Sequence, residues 1–303
     1  MVVEGTPCLH PNCYWSGQPP TVSPVAILLM LEPSAFIVKR SLGGSYYNFG
    51  QADLARKYLK RALELGNRTS ARERLDISAT YYSVSTRELD KAIDAYQLSE
   101  NTYPGDRYAP MNLADVYSKV GQYEQCAAAN RRGIGIDPAV SAAYQNLSIC
   151  LLSLDQMEQA KKVVDEALSG KLDGFLIRQP LYSLAFLQSD VPEMQRQLAW
   201  TAGRPAVEAA TFLGYQADTE AFHGLLRRSQ KYSRGALDCE LRAGSKEGAS
   251  SRQAYAALWE AEFGNLVQAR RYAASTRSCR SRSKNLNPAL QDILPRAATS
   301  INQ

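Results

Sequence analysis

The feature that most constrains this chain is a near repetition of its sequence between Arg107 and Gly174. Matching residues lie 34 positions apart in four places: Leu113 and Leu147, Gly121 and Asp155, Gln125 and Gln159, and Gly133 and Ala167. An interval of this length that carries two helical patterns with a turn between them is typical of a helix-turn-helix solenoid. The repetition therefore predicts a stack of helix pairs, in which each pair buries its apolar face against the next.

One unit of the repeat shows the helical pattern directly. Leu113, Ala114 and Tyr117 recur at intervals of three and four residues, so they share one helix face that has to be buried. Gly121 can end that helix in a left-handed conformation, after which a second helix begins. The unit closes at Pro138, because the residue before a proline is pushed out of helical geometry.

These residues resemble the tetratricopeptide repeat, which has small, leucine, tyrosine, glycine and proline residues at fixed positions. Six segments fit it, well in the middle and less well outward: 36–69, 73–106, 107–140, 141–174, 210–243 and 250–283. A seventh, 175–208, is degenerate. The resemblance implies an all-α, right-handed α-solenoid of stacked antiparallel helix pairs, with about five to seven repeats. The solenoid would occupy residues 35–276, between a poorly defined segment at 1–34 and a basic, disordered tail at 277–303.

Three runs outside the generic repeat pattern resemble a narrower family. Residues 70–82, 88–96 and 171–176 are similar to the tetratricopeptide region of large bacterial signalling proteins. In that family the region commonly follows a serine/threonine kinase domain or a DNA-binding regulatory domain. The resemblance implies a bacterial signalling context and carries over no catalytic residue. It suggests a cytoplasmic location, or an extracytoplasmic one if the region belongs to a membrane-anchored kinase.

Two cysteines and one glycine fall inside the predicted helices of the clearest repeats. Cys126 and Cys150 occupy positions where the repeat has a small or apolar residue, so we expect them to be small buried side chains. Gly133 stands where the repeat has alanine, and it should cost about 1 kcal/mol relative to that residue. The third repeat is therefore expected to be locally soft.

The sequence lacks the motifs of common enzymes and cofactor sites. The kinase motifs and the phosphate-binding P-loop are absent, and the acidic residues have the spacing of solvated helix faces. Cys8, His10 and Cys13 lie close together, yet a structural zinc site normally needs four ligands, and the other histidine, His223, falls within a predicted helix. We therefore expect a protein that is not an enzyme and that binds no cofactor and no metal.

Charge and hydropathy argue against two further classes of partner. The net charge of +5 comes largely from the last 27 residues, so the predicted solenoid is close to neutral and nucleic-acid binding is not expected. The apolar run at 25–31 is far shorter than the roughly 20 residues that cross a bilayer. The same run comes too late, and without a preceding Lys or Arg, for a signal peptide.

The resemblance also implies where a partner would bind. In tetratricopeptide solenoids the first helix of each unit lines a concave groove, and fixed positions of that helix point into it. Carried onto this sequence, those positions give a predicted peptide-binding groove of Arg74, Tyr81, Tyr108, Met111, Asn112, Asp115, Lys119, Gln145 and Asn146. The implied partner is a protein or peptide, and its identity and the oligomeric state are left open.

Two asparagines in this set carry the sharpest expectation. Asn112 and Asn146 occupy the same position of consecutive units, so two amides would stand one repeat apart, each able to donate to and accept from an extended peptide backbone. The alternative, of equal weight, is that they are solvated or bond to a neighbouring helix. A clamp for a C-terminal carboxylate is disfavoured, because it needs lysine and arginine at positions two, five and six of successive units. The third and fourth units have Tyr108, Met111, Asn112, Ala142, Gln145 and Asn146 there.

Overall fold

A computed structural model of the chain describes residues 35–48, 52–66 and 69–280. Fourteen α-helices cover most of these residues, and no strand occurs among them. They are α1 Ala35–Asn48, α2 Ala52–Glu64, α3 Ala71–Tyr81, α4 Leu89–Thr102, α5 Tyr108–Lys119, α6 Tyr123–Ile136, α7 Ser141–Ser153, α8 Met157–Ser169, α9 Phe175–Leu187, α10 Val191–Trp200, α11 Ala206–Phe222, α12 Leu226–Arg242, α13 Lys246–Glu262 and α14 Leu266–Arg280. A short π-helix, Tyr82–Thr86, follows α3.

The described chain divides into two compact units. The N-terminal unit contains residues 35–47, 54–66 and 69–194. The C-terminal unit contains residues 195–280, together with 48, 52 and 53. Each unit is built from consecutive helix pairs.

Helices of the N-terminal unit pack in chain order. From α3 to α8 each helix packs on the next, and the first helices of successive pairs also meet, α5 with α7 and α7 with α9. Leu113, Leu147, Leu151, Val164 and Ile177 fill the shared core, and each is at most 2% exposed. Leu113 and Leu147 belong to the 34-residue repetition, so these repeated positions are buried ones.

The turns within these pairs also follow the repetition. Gly121 lies between α5 and α6 with φ 75°, and Asp155 lies at the equivalent place between α7 and α8 with φ 58°. Both residues are in the left-handed region, which glycine adopts freely and aspartate tolerates better than most residues. The predicted end of the first helix at Gly121 is thus where the chain turns.

Longer helices build the C-terminal unit. Its helices α11, α12 and α13 have 17 residues each, and α14 has 15. They begin at Ala206, Leu226, Lys246 and Leu266, so a helix starts every 20 residues and a pair repeats every 40. The segments expected at 210–243 and 250–283 therefore begin four residues too late. Their 34-residue frame is too short for helices that each carry almost one extra turn.

The predicted all-α architecture of stacked helix pairs is confirmed. The last described helix, α14, runs to Arg280 and so passes the expected boundary at residue 276. The expectations for residues 1–34, including the cysteine-histidine group and the apolar run, lie outside the described residues, as does the tail from 281 onward. None of the helices in the described ranges is both long and apolar enough to cross a membrane.

Candidate functional site

Asn112 and Asn146 lie on α5 and α7, two first helices that contact each other. Both side chains are half-buried. Within residues 35–48, 52–66 and 69–280, neither amide forms a hydrogen bond to another group of the protein. Their donors and acceptors are thus free for a ligand, in a place where water is partly excluded. Of the possibilities named for these asparagines, which are peptide binding, solvation and bonding to a neighbouring helix, the last does not occur within the described residues.

Tyr108 stands one turn before Asn112 and is held by its neighbours. The Arg107 guanidinium donates to the Tyr108 hydroxyl at 2.6 Å and lies 4.8 Å from the centre of its ring. Arg107 also forms an ion pair with Asp137, at the end of α6. The half-buried ring is therefore held in one position near Asn112. A ring that is already fixed offers apolar contact area to a ligand without a loss of side-chain entropy on binding.

The predicted charged pair of the groove is satisfied internally. Lys119 donates to Asp115, and its ammonium group lies 5.2 Å from the centre of the Tyr47 ring. Burial alone would lower the pKa of Lys119, but Asp115 and Tyr47 together raise it above its usual value. Lys119 therefore stays charged and paired, so this part of the helix offers little net charge to a partner.

Met111 and Gln145 are buried side chains. Met111 is 3% exposed and packs with Ala142 and Ala143 on α7. A Cβ at Gly133 would lie only 2.9 Å from the Met111 Cγ. Gly133 is therefore the residue that makes room for this methionine, and the expected gain from an alanine there does not apply. Gln145, 8% exposed, lies on the same helix as Asn146 but is covered.

The remaining predicted groove residues belong to α3. Arg74 is exposed and donates to the Thr69 carbonyl at 2.6 Å, which fastens it to the loop before its own helix. Tyr81 is half-buried, with its ring 6.2 Å from that of Tyr82 in an edge-on arrangement. The structure thus gives three groups. Asn112, Asn146, Tyr81 and Tyr108 are partly accessible; Arg74, Asp115 and Lys119 are engaged within the chain; Met111 and Gln145 are buried.

A buried covalent link joins α6 to α7. Cys126 on α6 and Cys150 on α7 are both about 1% exposed, as expected, and they form a disulfide. The buried Asn130 donates to the Cys126 carbonyl at 3.1 Å. The link joins the third helix pair to the fourth, which carry Asn112 and Asn146 respectively. The two cysteines are 24 residues apart, and this separation does not indicate from the sequence that they pair.

A second polar cluster, in the C-terminal unit, was not predicted from the sequence. The guanidinium of Arg252, which is 9% exposed, lies 4.7 Å from the centre of the Tyr255 ring and 3.4 Å from Asp218. The Trp259 indole donates to Asp218 at 2.8 Å. Gly214 provides the space, because a Cβ there would lie 2.5 Å from the Arg252 guanidinium. In the sequence, the only sign of this cluster is a glycine, Gly214, within an apolar helix.

Across the described ranges, no group of three or more His, Cys, Asp or Glu residues could hold a metal.

Comparisons with known proteins agree on the fold. No protein-family model matches the sequence, and no curated protein matches it. Among solved structures, the APC/C hetero-tetramer Cut9-Hcn1 is similar with a TM-score of 0.51 and 13% identity, over 88% of this chain and 56% of that one. The human IFIT1 dimer with PPP-AAAA gives 0.50 and 13%, over 79% and 60%. A tetratricopeptide repeat protein from Parabacteroides merdae ATCC 43184 gives 0.43 and 12%, over 87% and 99%.

Identities this low extend the likeness to the fold alone. The helical-repeat fold that the tetratricopeptide resemblance implies is confirmed. Function has to be argued from the residues themselves.

Proposed function

We propose that the chain is a non-catalytic scaffold that binds an extended peptide or protein segment along the first helices of its N-terminal unit. The observation that carries this proposal is the pair of half-buried amides at Asn112 and Asn146, which occupy equivalent positions of contacting helices and have no hydrogen bond within the described residues. A ligand that replaces water on a half-buried amide gains about 0.5–1.5 kcal/mol per hydrogen bond.

The chemistry of these side chains selects a peptide backbone. Each amide offers both a donor and an acceptor, and so does each peptide unit of an extended chain. Tyr108, fixed by Arg107, supplies apolar area beside Asn112. Ile149 on α7 is 43% exposed and supplies the same beside Asn146. Because Asp115 and Lys119 neutralise each other, we expect the bound segment to be uncharged at this point and its affinity to depend weakly on salt.

A direct test uses peptides selected by display on the purified full chain. Asn112→Ala and Asn146→Ala should each weaken binding of the selected peptide by about 1 kcal/mol, because each removes one amide that bonds to it. The dissociation constant should rise roughly fivefold. Calorimetric titration measures the change, and circular dichroism checks that the variants fold. Asn101→Ala, an exposed asparagine on α4, is the matched control. Unchanged affinity in both groove variants would remove this site.

A second candidate function is a sensor or regulatory portion of a bacterial serine/threonine kinase or transcriptional regulator. The runs at 70–82, 88–96 and 171–176 support it, and the first and second of these lie in and around α3 and α4. Gene neighbourhood separates the two: an in-frame kinase or DNA-binding domain beside this coding sequence supports the second, and its absence favours a free-standing scaffold.

A further inference from the structure

Two turns of the C-terminal unit are equivalent, and their differences are informative. The turn between α11 and α12 and the turn between α13 and α14 contain Gly224 and Gly264, each with φ 78°. In both turns a backbone amide donates at 2.8 Å to the carbonyl of a buried glutamate, Glu220 in the first and Glu260 in the second. With this register, each residue of the first turn has a counterpart 40 positions later.

In the first turn the buried glutamate has a cation. Glu220 is 5% exposed, and the Arg228 guanidinium lies 2.9 Å from its Oε1. Gln216 donates to the same oxygen at 2.7 Å. Arg228 is the third residue of α12 and lies close enough to the turn for its guanidinium to reach the Glu220 carboxylate. Burying a carboxylate is costly unless it is paired and hydrogen-bonded, and here both conditions are met.

In the second turn the cation is missing. Glu260 is 2% exposed, and its two oxygens accept from neutral amides, Gln230 at 2.7 Å and Asn265 at 3.0 Å. The counterpart of Arg228 is Gln268. Within the described residues, no lysine or arginine lies at ion-pair distance from Glu260. Each carboxylate oxygen therefore accepts one hydrogen bond from an amide, but no opposite charge lies beside it.

Where the arginine would lie, the structure has an open cavity of about 700 Å³. Its walls are formed by α12, α14 and the end of α13, and they include Gln230, Arg234, Glu260, Asn265, Gln268 and Tyr272. A carboxylate can accept up to about four hydrogen bonds, so Glu260 retains acceptor capacity. The Tyr272 ring and Val267, which is 83% exposed, add apolar surface of the kind that covers the stem of a long basic side chain.

We propose that this cavity binds an arginine side chain of a partner protein, with its guanidinium on Glu260 as the Arg228 guanidinium is on Glu220. Charge complementarity and the preceding turn select this occupant, because the same carboxylate in the same backbone frame already holds a guanidinium there. The planar fork of arginine suits a carboxylate better than the single ammonium of lysine. The site is separate from the groove around Asn112, so either can fail without the other.

The probe for the test is Nα-acetyl-L-arginine amide, added to the full chain, with the uncharged isostere Nα-acetyl-L-citrulline amide as its control. The NMR signals of the Gln230 and Asn265 side-chain amides report on the cavity. Acetyl-arginine amide should shift them saturably and acetyl-citrulline amide at least about tenfold more weakly, because a hydrogen bond between charged groups is the stronger one. Equal binding of both probes would overturn the proposal.

Four variants sharpen the result. Glu260→Gln should abolish the discrimination between the probes. Gln268→Arg supplies the guanidinium internally, as Arg228 does, so it should block the probe and raise the melting temperature. This variant keeps the test decisive if Glu260→Gln does not fold. Arg234→Gln removes a like charge from the cavity wall and should strengthen probe binding, whereas Arg270→Gln, at an exposed position of α14 outside the cavity, should leave it unchanged. Probe binding that appears only in Arg234→Gln would show that Arg234 fills the site itself, and would overturn the assignment to a partner.

Discussion

The two units use the same helix-pair plan but fill it differently. In the N-terminal unit one continuous apolar cluster, with leucines, valines and tyrosines, runs from α3 to α9. The C-terminal unit packs its helices mainly on small alanines and buries polar groups between them: Gln216, Thr219, Glu220, Ser250, Arg252 and Glu260. Large apolar side chains hold one unit together, and hydrogen bonds and ion pairs between close helices contribute more to the other.

The turns of the two units differ in their backbone strain. Within the N-terminal unit, Arg87, Asp155, Lys171 and Ser189 adopt positive φ although none is glycine. In the C-terminal unit every residue with positive φ is a glycine: Gly203, Gly224, Gly244 and Gly264. A left-handed residue other than glycine costs about 1–2 kcal/mol. The N-terminal unit thus tolerates strained turns because its apolar core stabilises them, whereas the C-terminal unit has unstrained turns and a polar core.

The largest expected effect tests the two cores. Leu113→Ala removes a side chain that is 1% exposed from the apolar cluster, and should cost about 2–5 kcal/mol in free energy of unfolding. Ser250→Ala removes a buried hydroxyl whose bond to the Thr276 carbonyl is 3.5 Å long, and should cost about 1 kcal/mol or less. Amide hydrogen exchange measures the opening of α5–α7 and of α13–α14 separately.

Exchange is needed because two compact units need not unfold in one step. Leu113→Ala should raise exchange rates in the N-terminal unit, and Ser250→Ala in the C-terminal unit. If the two substitutions cost the same, the contrast between an apolar and a polar core is wrong as an account of their stability.

The sequence predicts the apolar core better than the polar one. The 34-residue repetition is carried by Leu113 and Leu147, which are buried because a helix pair must cover that face. In the C-terminal unit the 34-residue repeat pattern locates Gly224 and Gly264, but it places the start of both repeats four residues late. Helix length there depends on packing between long helices, and alanines, which fit a helix at almost any position, fix no register.

Side-chain exposure at the candidate site was only partly predictable for a related reason. Position within the repeat assigns Met111 and Asn112 equally to the groove. The structure buries Met111 against Ala143, in a space that Gly133 leaves open, and keeps Asn112 half-exposed. That distinction depends on a residue of another helix, so a pattern read along one helix cannot make it.

A medium-sized effect tests the turns. Gly264→Ala should destabilise the C-terminal unit by about 1 kcal/mol, because alanine avoids positive φ; a Cβ there would have nothing within 4 Å, so the cost is one of conformation alone. Lys171→Gly should stabilise the N-terminal unit by up to about 1 kcal/mol for the opposite reason. Thermal unfolding measures the stability of both variants, and amide hydrogen exchange shows which unit has changed. Effects of the same sign in both would contradict the comparison.

The smallest effect concerns pH and the polar core. Burial raises the pKa of Glu240, on α12, above its ordinary 4.5, although a hydrogen bond from Ser245 and the charge of Arg252 oppose the change. The folded state therefore keeps this proton to a higher pH than the unfolded state does. Stability is unaffected below the unfolded pKa, decreases as the pH rises from there through the folded pKa, and is constant above it.

Glu240→Gln removes this titration and keeps the shape of the side chain. At pH 7 the variant should be more stable than the parent, and the difference should disappear as the pH falls below the unfolded pKa of about 4. Urea unfolding of both proteins from pH 4 to pH 8 measures it, with Asp238→Asn on the same helix as the matched control for the loss of one exposed charge. The covered glutamates of the C-terminal unit would then differ by partner: the buried Glu220 is balanced by Arg228, the half-buried Glu240 is tolerated at a cost, and the buried Glu260 is left for an incoming cation. A variant that is less stable at every pH would instead show that the Glu240 carboxylate is a favourable part of the polar core.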